Sequence, residues 1–346
     1  MKYLRVSFLV LLVSVFTNCS KNSGTGSVTP TKTAPTDLVV AAVINTDNSG
    51  NVAFTASATN AISYDYDFGN GTYQTVASGV VNYKYPATGT YTVNVTAKSK
   101  DGLTLSKSVQ VVITVTTALT WSEEFNKDGA PDASKWGYDI GTGSSGWGNN
   151  ELEYYTNRPD NVIVSGGTLK IIAKKESYSG SAYTSARIST KDKFYFKYGK
   201  LEIRAKLPAG GGTWPAIWML GGNFLTSSWP ACGEIDIMEH KGNDLNKIFS
   251  TLHYPGHSGG NGSGGTTVIS NATTEFHRYA LDWSATTIKF MVDDVPFYTF
   301  ANAGSLPFNQ NFFIILNFAI GGTFGGTVDP NFTSSTMEID YIRLYQ

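Results

Sequence analysis

The chain has 346 residues, which is long enough for two domains with sizeable cores. Its 26 Lys and Arg residues nearly balance its 27 Asp and Glu residues, so the net charge of −1 gives no electrostatic basis for binding nucleic acid or an anionic membrane surface. Only 15% of the residues are charged, whereas 13% are aromatic and 36 are Gly, a composition typical of an exported all-β protein.

The N-terminus has the pattern of an export signal. Lys2 and Arg5 form a basic start, and residues 6–16 form an apolar run that is too short to span a bilayer. We therefore predict a signal peptide over residues 1–18 and an exported protein.

A cysteine directly follows this apolar run. Cys19 precedes a stretch rich in Ser, Thr and Gly, as in a bacterial lipobox, although Thr17 and Asn18 replace the usual small residues. We predict a lipidated Cys19 with a flexible tether over 19–34, and hence an envelope lipoprotein at the outer membrane or cell surface that touches the membrane only through its lipid. The alternative is an ordinary signal peptide with an incidental cysteine. Lipidation would leave Cys232 without a disulfide partner, as a small buried apolar residue.

Residues 35–116 form a block of alternating apolar and polar residues, such as VAFTAS and YTVNVTAKS. The pairs Asn70-Gly71 and Asp101-Gly102 are hairpin turn signals, and short strands at this spacing predict a small β-sandwich. The stretches YDYDFGNGT and YPATGTYTVNVTAKSKDG resemble a polycystic-kidney-disease (PKD) domain. That resemblance implies an Ig-like module that serves as a spacer or a weak glycan binder, and we favour the spacer.

Residues 118–346 also lack convincing helices. Candidate strands are TLKIIAKK, GKLEIRAKL, GEIDIMEH, HRYALDWS, TIKFMVDD, FFIILNFAIG and MEIDYIRLYQ, separated by Gly, Pro and Asn clusters. The simplest architecture is two large stacked antiparallel sheets, a β-sandwich jelly roll. Such sheets curve, and a long glycan can lie along the concave cleft that results.

The strand GEIDIMEH carries three carboxylates, Glu234, Asp236 and Glu239. Because side chains alternate along a strand, Glu234 and Asp236 share a face and Glu239 points the opposite way. One extra residue at Ile237–Met238, a β-bulge, would return Glu239 to their face. Glycoside hydrolysis uses two such acids, about 5 Å apart in retaining enzymes. Three carboxyl groups this close cannot all ionise freely, so the pKa of one of them should rise.

The same strand resembles the bulged catalytic strand of glycoside hydrolase family 16. The stretches WGNNELEYYTNRPDNV, YGKLEIRAKLPAGGGTWPAIWMLG, WPACGEIDIMEH, TLHY and MEIDYIRLYQ are similar to its laminarinase branch, which comprises endo-1,3-β-glucanases. The resemblance implies that Glu234 is the nucleophile and Glu239 the acid/base. Asp236 would hydrogen-bond the nucleophile and control its ionisation.

The resemblance also implies a set of residues that bind the β-glucan polysaccharide or oligosaccharide. Trp214 and Trp218 would stack on sugars in the negative subsites, and Asn150 and Arg187 would hydrogen-bond hydroxyl groups there. Two further residues, Trp229 and His253, would border the cleaved bond. The alternatives are structural: tryptophans and histidines often lie in cores, and Asn or Arg residues often lie in turns or on surfaces.

Family resemblance further implies a structural Ca²⁺ ion on the opposite side of the domain. Its ligands would be backbone oxygens of Glu124 and Gly167, with the backbone and side chain of Asp340. We expect no cofactor for catalysis, and a monomer.

Other interpretations of the acid strand are open at this stage. Glu234 could form a buried salt bridge, although no Lys or Arg occurs in the strand before Lys241, or the acids and a histidine could hold a metal. At the level of function, we expect endo-acting, retaining hydrolysis of laminarin-type β-1,3-glucan. The alternatives are the same fold acting on mixed-linkage β-glucan or a galactan, or a non-catalytic β-glucan-binding protein.

Overall fold

A computed structural model of the chain describes residues 31–346, which divide after Thr116 into two compact units, each with its own core. The predicted signal peptide, Cys19 and most of the predicted tether lie outside the described residues. None of the helices within the described range has the length and apolar character needed to cross a membrane.

The described part of the N-terminal unit is a sandwich of two antiparallel sheets. Its strands are β1 (Thr36–Ile44), β2 (Asn51–Thr59), β3 (Ser63–Asp67), β4 (Tyr73–Val76), β5 (Val80–Lys84), β6 (Gly89–Lys98) and β7 (Thr104–Ile113). One sheet has the order β1-β2-β5 and the other the order β4-β3-β6-β7. The predicted small β-sandwich is therefore confirmed.

Strand alternation explains the core of this sandwich. Phe54, Tyr66 and Phe68 point inward and are fully buried, with ring centroids 5.7–6.0 Å apart. Both predicted turns are present: Gly71 lies between β3 and β4, and Gly102 between β6 and β7. Each has the positive φ, +83° and +79°, that glycine adopts without strain.

The second unit contains the remaining strands. They are β8 (Leu119–Glu123), β9 (Gly137–Asp139), β10 (Glu153–Tyr155), β11 (Val162–Ser165), β12 (Thr168–Tyr178), β13 (Ser181–Ser185), β14 (Arg187–Ser189), β15 (Gly199–Lys206), β16 (Thr213–Gly221), β17 (Glu234–His240), β18 (Lys247–His253), β19 (Ser263–Val268), β20 (His277–Trp283), β21 (Thr287–Val292), β22 (Val295–Ala301), β23 (Phe312–Ile320) and β24 (Ser334–Tyr345). Three short helical segments join them, namely a π-type turn (Gly146–Asn150), a 3₁₀ turn (Gly259–Asn261) and α1 (Gly322–Gly325).

These strands form two large sheets that enclose one apolar core. The first has the order β10-β13-β12-β24-β15-β20-β21-β22, with β11 beside β12 and β8 beside β24. The second has the order β19-β18-β17-β16-β23-β14-β9. Ile203 and Leu281 of the first sheet and Ile217, Ile235 and Leu316 of the second are fully buried in this core. The jelly-roll prediction is thus confirmed.

The face of the seven-stranded sheet that points away from the core is here called the open face. Every residue of β23, a strand in the interior of this sheet, is buried. Other side chains therefore cover the open face where β23 runs. Strand β16 was absent from the predicted strands because it contains Pro215, which pairs with Phe318 in the middle of the sheet. Proline normally argues against a central strand because it lacks the N–H that pairing uses.

Candidate active site

Strand β17 carries an extra residue relative to its neighbour β16. Ile217 pairs with Met238, but the next residue of β16, Trp218, pairs with Asp236. Ile237 is therefore left without a counterpart on β16, which is the defining feature of a bulge.

The same irregularity appears on the other side of β17. Asp236 pairs with Thr251 and Glu239 pairs with Phe249, so two residues of β17 oppose one residue of β18. The predicted bulge at Ile237–Met238 is confirmed from both neighbouring strands.

The bulge has two consequences for side-chain direction. Ile235, Ile237 and Met238 all enter the core, although the last two are adjacent in sequence. Glu234, Asp236 and Glu239 consequently share the open face. The hydroxyl of Ser250 on β18, which lies opposite the bulge and is buried, donates a 2.7 Å hydrogen bond to the Ile237 carbonyl.

Indole N–H groups hold the two outer acids. Trp229 donates to Glu234 at 3.0 Å, and Trp214 donates to Glu239 at 3.1 Å. Trp229 is 48% exposed and so borders the site from solvent. Trp214 is only 9% exposed and packs against Phe324. The structure therefore gives Trp214 little free ring face for the expected sugar stacking, and shows it as a hydrogen-bond donor to Glu239.

His253 lies on the open face beside the acids rather than in the core. Its Nε2 atom is 3.2 Å from Asp236 Oδ2 and 3.7 Å from Glu234 Oε1. Its ring is 5.9 Å from that of Trp229. The histidine thus contacts the two acids at one end of the strand, and Glu234 has no Lys or Arg partner among the described residues.

Burial raises the pKa of all three carboxyl groups. For Glu234 the charge of Asp236 adds to the rise, and the Trp229 N–H opposes it. For Asp236 the charge of Glu239 adds to the rise, and a hydrogen bond with Glu234 opposes it. The sequence predicted a raised pKa for one carboxyl group through the proximity of the three acids, whereas in the structure all three are raised and burial is the first cause of each rise. A carboxyl group that holds its proton near neutral pH can act as a general acid.

Part of this cluster could also hold a cation. Glu234, Asp236 and His253 can each offer a ligand atom, and these atoms lie within 4.8 Å of one another. Within residues 31–346 this is the only such group of acidic, His or Cys side chains. The metal interpretation of the acid strand is therefore geometrically allowed.

Two further expected site residues, Arg187 at the start of β14 and Trp218 on β16, contact each other. The guanidinium of Arg187 contacts two indoles, 4.5 Å from the Trp147 ring centroid and 4.9 Å from the Trp218 ring centroid. Its Nε donates to Asp139 at 3.0 Å. The two cation–π contacts and this hydrogen bond hold the guanidinium in place. The expected pair Arg187 and Trp218 is thus brought together on the open face.

Asn150 ends the π-type turn, and its side chain is exposed. The backbone of this turn is unusual, because Asn150 and Trp147 both have positive φ, 57° and 54°. No contact of the Asn150 side chain with the acids is seen among the described residues.

Sequence reasoning missed four residues of this region, namely Trp147, Tyr155, Ser250 and Asn317. Trp147 and Tyr155 lie inside a stretch that resembles the family, but their types alone do not distinguish a site residue from a core residue. Ser250 and Asn317 act through hydrogen bonds to distant parts of the chain, which no local pattern reveals.

The residues expected at the calcium site are close in the ten-stranded sheet. Glu124 directly follows β8, Gly167 directly precedes β12, and both strands pair with β24. Asp340 is the extra residue of a bulge in β24, because the adjacent residues Arg204 and Ala205 of β15 pair with Tyr341 and Ile339. This set of oxygens fits the preference of Ca²⁺. The carboxylates, however, are paired with arginines, Asp340 with Arg204 and Glu124 with Arg343, so backbone oxygens would have to supply much of the coordination.

Comparisons with known proteins agree for both units. The sequence profile of Glycosyl hydrolases family 16 matches residues 149–343, and that of the PKD domain matches residues 37–115. A β-glucanase from Rhodothermus marinus is 44% identical over 244 residues, which is 66% of this chain and 85% of that protein.

Solved structures give the same result. The laminarinase from Rhodothermus marinus superposes with a TM-score of 0.64 at 44% identity, over 67% of this chain and 98% of that chain. The catalytic domain of an endo-1,3-β-glucanase (laminarinase) from Thermotoga petrophila superposes with a TM-score of 0.62 at 40% identity, over 67% of this chain and 98% of that chain.

Proposed function

Since the chain belongs to glycosyl hydrolase family 16, we propose that it is an endo-acting β-1,3-glucanase that cleaves laminarin-type glucans with retention of configuration. The observation that carries this proposal is the bulge at Ile237–Met238. It places Glu234 and Glu239 on one face, where two carboxyl groups can act on one glycosidic bond.

The reaction proceeds by double displacement. Glu239, whose pKa is raised by burial, protonates the glycosidic oxygen while Glu234 attacks the anomeric carbon, so the bond to the leaving sugar breaks as the glycosyl-enzyme bond forms. Glu239, now ionised, then takes a proton from water, and the hydroxyl attacks the same carbon and releases Glu234. Two inversions give net retention.

Asp236 controls the charge on the nucleophile. It is the least exposed of the three acids, and its Oδ2 lies 3.2 Å from His253 Nε2. A protonated Asp236 can donate to Glu234 and, together with the Trp229 N–H, stabilise the carboxylate that attacks. This arrangement keeps one negative charge in the cluster instead of three.

Parallel digestion of laminarin, mixed-linkage β-glucan and agarose, followed by sizing of the products, tests the proposal. We expect short oligosaccharides from laminarin, released early from the interior of the chain. Faster release from mixed-linkage glucan or from agarose would support one of the alternative substrates. Oligosaccharide binding without any release would support the binding-protein alternative.

We further propose that the protein is exported and attached to the cell envelope by lipid on Cys19, with residues 35–116 as a spacer and residues 118–346 as the catalytic domain. The lipobox-like sequence supports the attachment. Incorporation of labelled palmitate that is lost in Cys19→Ser is the expected result, and equal labelling of both proteins would contradict it. Catalysis without a cofactor and a monomeric state remain predictions.

A structural calcium ion at Glu124, Gly167 and Asp340 is also proposed. The oxygen donors and the bulge at Asp340 support it. Chelation should lower the melting temperature and added Ca²⁺ should restore it, whereas an unchanged melting temperature would contradict the site.

A further inference from the structure

A chain of hydrogen bonds runs from the open face into the interior behind Trp218. The Trp218 indole N–H donates to Asn317 Oδ1 at 2.8 Å, and Asn317 Nδ2 donates to the Tyr155 hydroxyl at 3.0 Å. The Tyr155 hydroxyl in turn donates to Glu151 Oε2 at 2.9 Å. Every polar atom in this series has a defined partner, so the orientation of the Trp218 ring is linked to that of Tyr155.

The far end of this series is anchored in the backbone. Glu151 bridges to Gly321 through its main chain and accepts a side-chain bond from Asn149. Glu153, fully buried beside it, accepts a 2.6 Å bond from the backbone N–H of Ile320. The hydroxyl of Tyr155 is therefore linked to β23 through Asn317 and to the residue that follows β23, Gly321, through Glu151.

The ring of Tyr155 makes a second, apolar connection to the same wall. It packs against Trp147 with 5.7 Å between ring centroids. Trp147 stacks on the Arg187 guanidinium, which stacks on Trp218. Tyr155 is thus connected to Trp218 in two ways. One connection is the pair of hydrogen bonds through Asn317, and the other is the series of ring contacts through Trp147 and Arg187.

Tyr155 itself cannot touch a bound sugar, because it is fully buried and Asn317 is 95% buried. Any effect of its hydroxyl on sugar binding must pass through the residues that it holds. We propose that Tyr155 is a positioning residue for sugar recognition, which sets the orientation of Trp218 through Asn317 and supports Arg187 through Trp147. This inference rests on the proposed function, because Trp218 and Arg187 are taken as sugar-binding residues.

The substitution Tyr155→Phe removes one oxygen atom and keeps the ring against Trp147. Asn317 and Glu151 would each lose one buried partner, so the Trp218 ring would lose its fixed orientation. We expect KM for laminarin oligosaccharides to rise about fivefold while kcat stays within about twofold, because the acids are untouched.

The neighbouring residue provides a matched control. Tyr154 points to the other side of the strand and packs against Tyr178. Tyr154→Phe removes the same atom type one residue away and should leave KM and kcat unchanged. If Tyr155→Phe binds oligosaccharides as well as the wild type, the proposal is wrong.

A double-mutant cycle distinguishes positioning from a general loss of stability. Tyr155→Phe, Trp218→Ala and the double variant are compared by KM. If Tyr155 acts through Trp218, it has little left to affect once the indole is gone, so the double variant should match Trp218→Ala. Additive effects would contradict the proposal.

Two further measurements keep the test decisive. Should Tyr155→Phe fold poorly, Asn317→Ala interrupts the same series and should give the same KM effect, with an unchanged KM again counting against the proposal. Absence of hydrolysis by the wild type on every glucan would instead overturn the proposed function, so the two failures are distinguishable.

Discussion

The two units of the protein are both built from stacked antiparallel sheets, yet they place their aromatic and acidic residues differently. In the N-terminal sandwich, the large rings of Phe54, Tyr66 and Phe68 are fully buried between the sheets. In the catalytic unit, Trp218 and Trp229 lie outside the core, next to carboxyl groups. In the catalytic unit, the aromatic rings and the acids of the active site lie on the sheet face that points away from the core.

The acids also differ in their surroundings. Asp65 of the sandwich is paired with Lys98, which lowers its pKa. Glu234 and Glu239 have no Lys or Arg partner among the described residues, and burial raises their pKa values although the nearby His253 opposes the rise. An acid that already has a cationic partner stabilises structure, whereas an acid held by neutral donors keeps the capacity to exchange a proton.

The largest effect on activity should come from replacing Glu234 or Glu239 with an amide that cannot ionise. Glu234→Gln or Glu239→Gln is expected to lower laminarin hydrolysis by at least about a hundredfold, because the nucleophile or the proton donor is lost. Oligosaccharide binding, measured by calorimetry, should persist. Asp65→Asn in the sandwich is the control and should keep full activity; more than about a hundredth of wild-type turnover in both Gln variants would contradict the roles assigned.

A smaller effect is expected from the support of the bulge. Ser250→Ala removes the hydrogen bond to the Ile237 carbonyl. The loss of this bond should lower the free energy of unfolding by about 1–3 kcal/mol and loosen the geometry of the acids. We expect kcat to fall about tenfold with little change in KM. Ser99, a buried serine of the sandwich that accepts two backbone bonds, is the matched control. Equal kcat values for Ser250→Ala and Ser99→Ala would show that the bulge does not need this bond.

The smallest effect should be a shift of the pH profile. The Trp214 N–H lowers the pKa of Glu239 by favouring its charged form. Trp214→Phe should therefore raise that pKa, and because the general acid must be protonated, the alkaline limb of kcat/KM should move to higher pH. Tyr66→Phe in the sandwich also removes a buried donor and should leave the profile unchanged. An alkaline limb that stays in place or moves to lower pH would contradict the role of Trp214.

Much of the fold followed from local patterns. The uneven spacing of Glu234, Asp236 and Glu239 predicted the bulge, because a period of two leaves only one way to bring all three acids to one face. Strands such as β12, β20 and β23 were predicted as segments between clusters of Gly, Pro and Asn. Strand β16 was missed because Pro215 breaks the local rule, and only its pairing with Phe318 makes the strand evident.

The site was less predictable than the fold, because its contacts join distant residues. The bond between Asn317 and Tyr155 spans 162 positions, and that between Trp218 and Asn317 spans 99. Trp214 contributes an N–H to the site and little free ring face, because Phe324 packs against its ring. Phe324 is distant from Trp214 in sequence, so the residues around Trp214 do not reveal this contact. Local pattern therefore located the acids, but only the structure shows which groups hold them.

Covalent trapping of the nucleophile tests the central claim most directly. A 2-deoxy-2-fluoro laminaribiosyl fluoride reacts with a retaining enzyme to give a slowly hydrolysed glycosyl-enzyme, and peptide mass spectrometry then identifies the labelled residue. The bulge geometry predicts a label on Glu234 alone, with none formed in Glu234→Gln. A label on Asp236 or Glu239, or turnover of this compound to the α-anomer without any covalent species, would contradict the account.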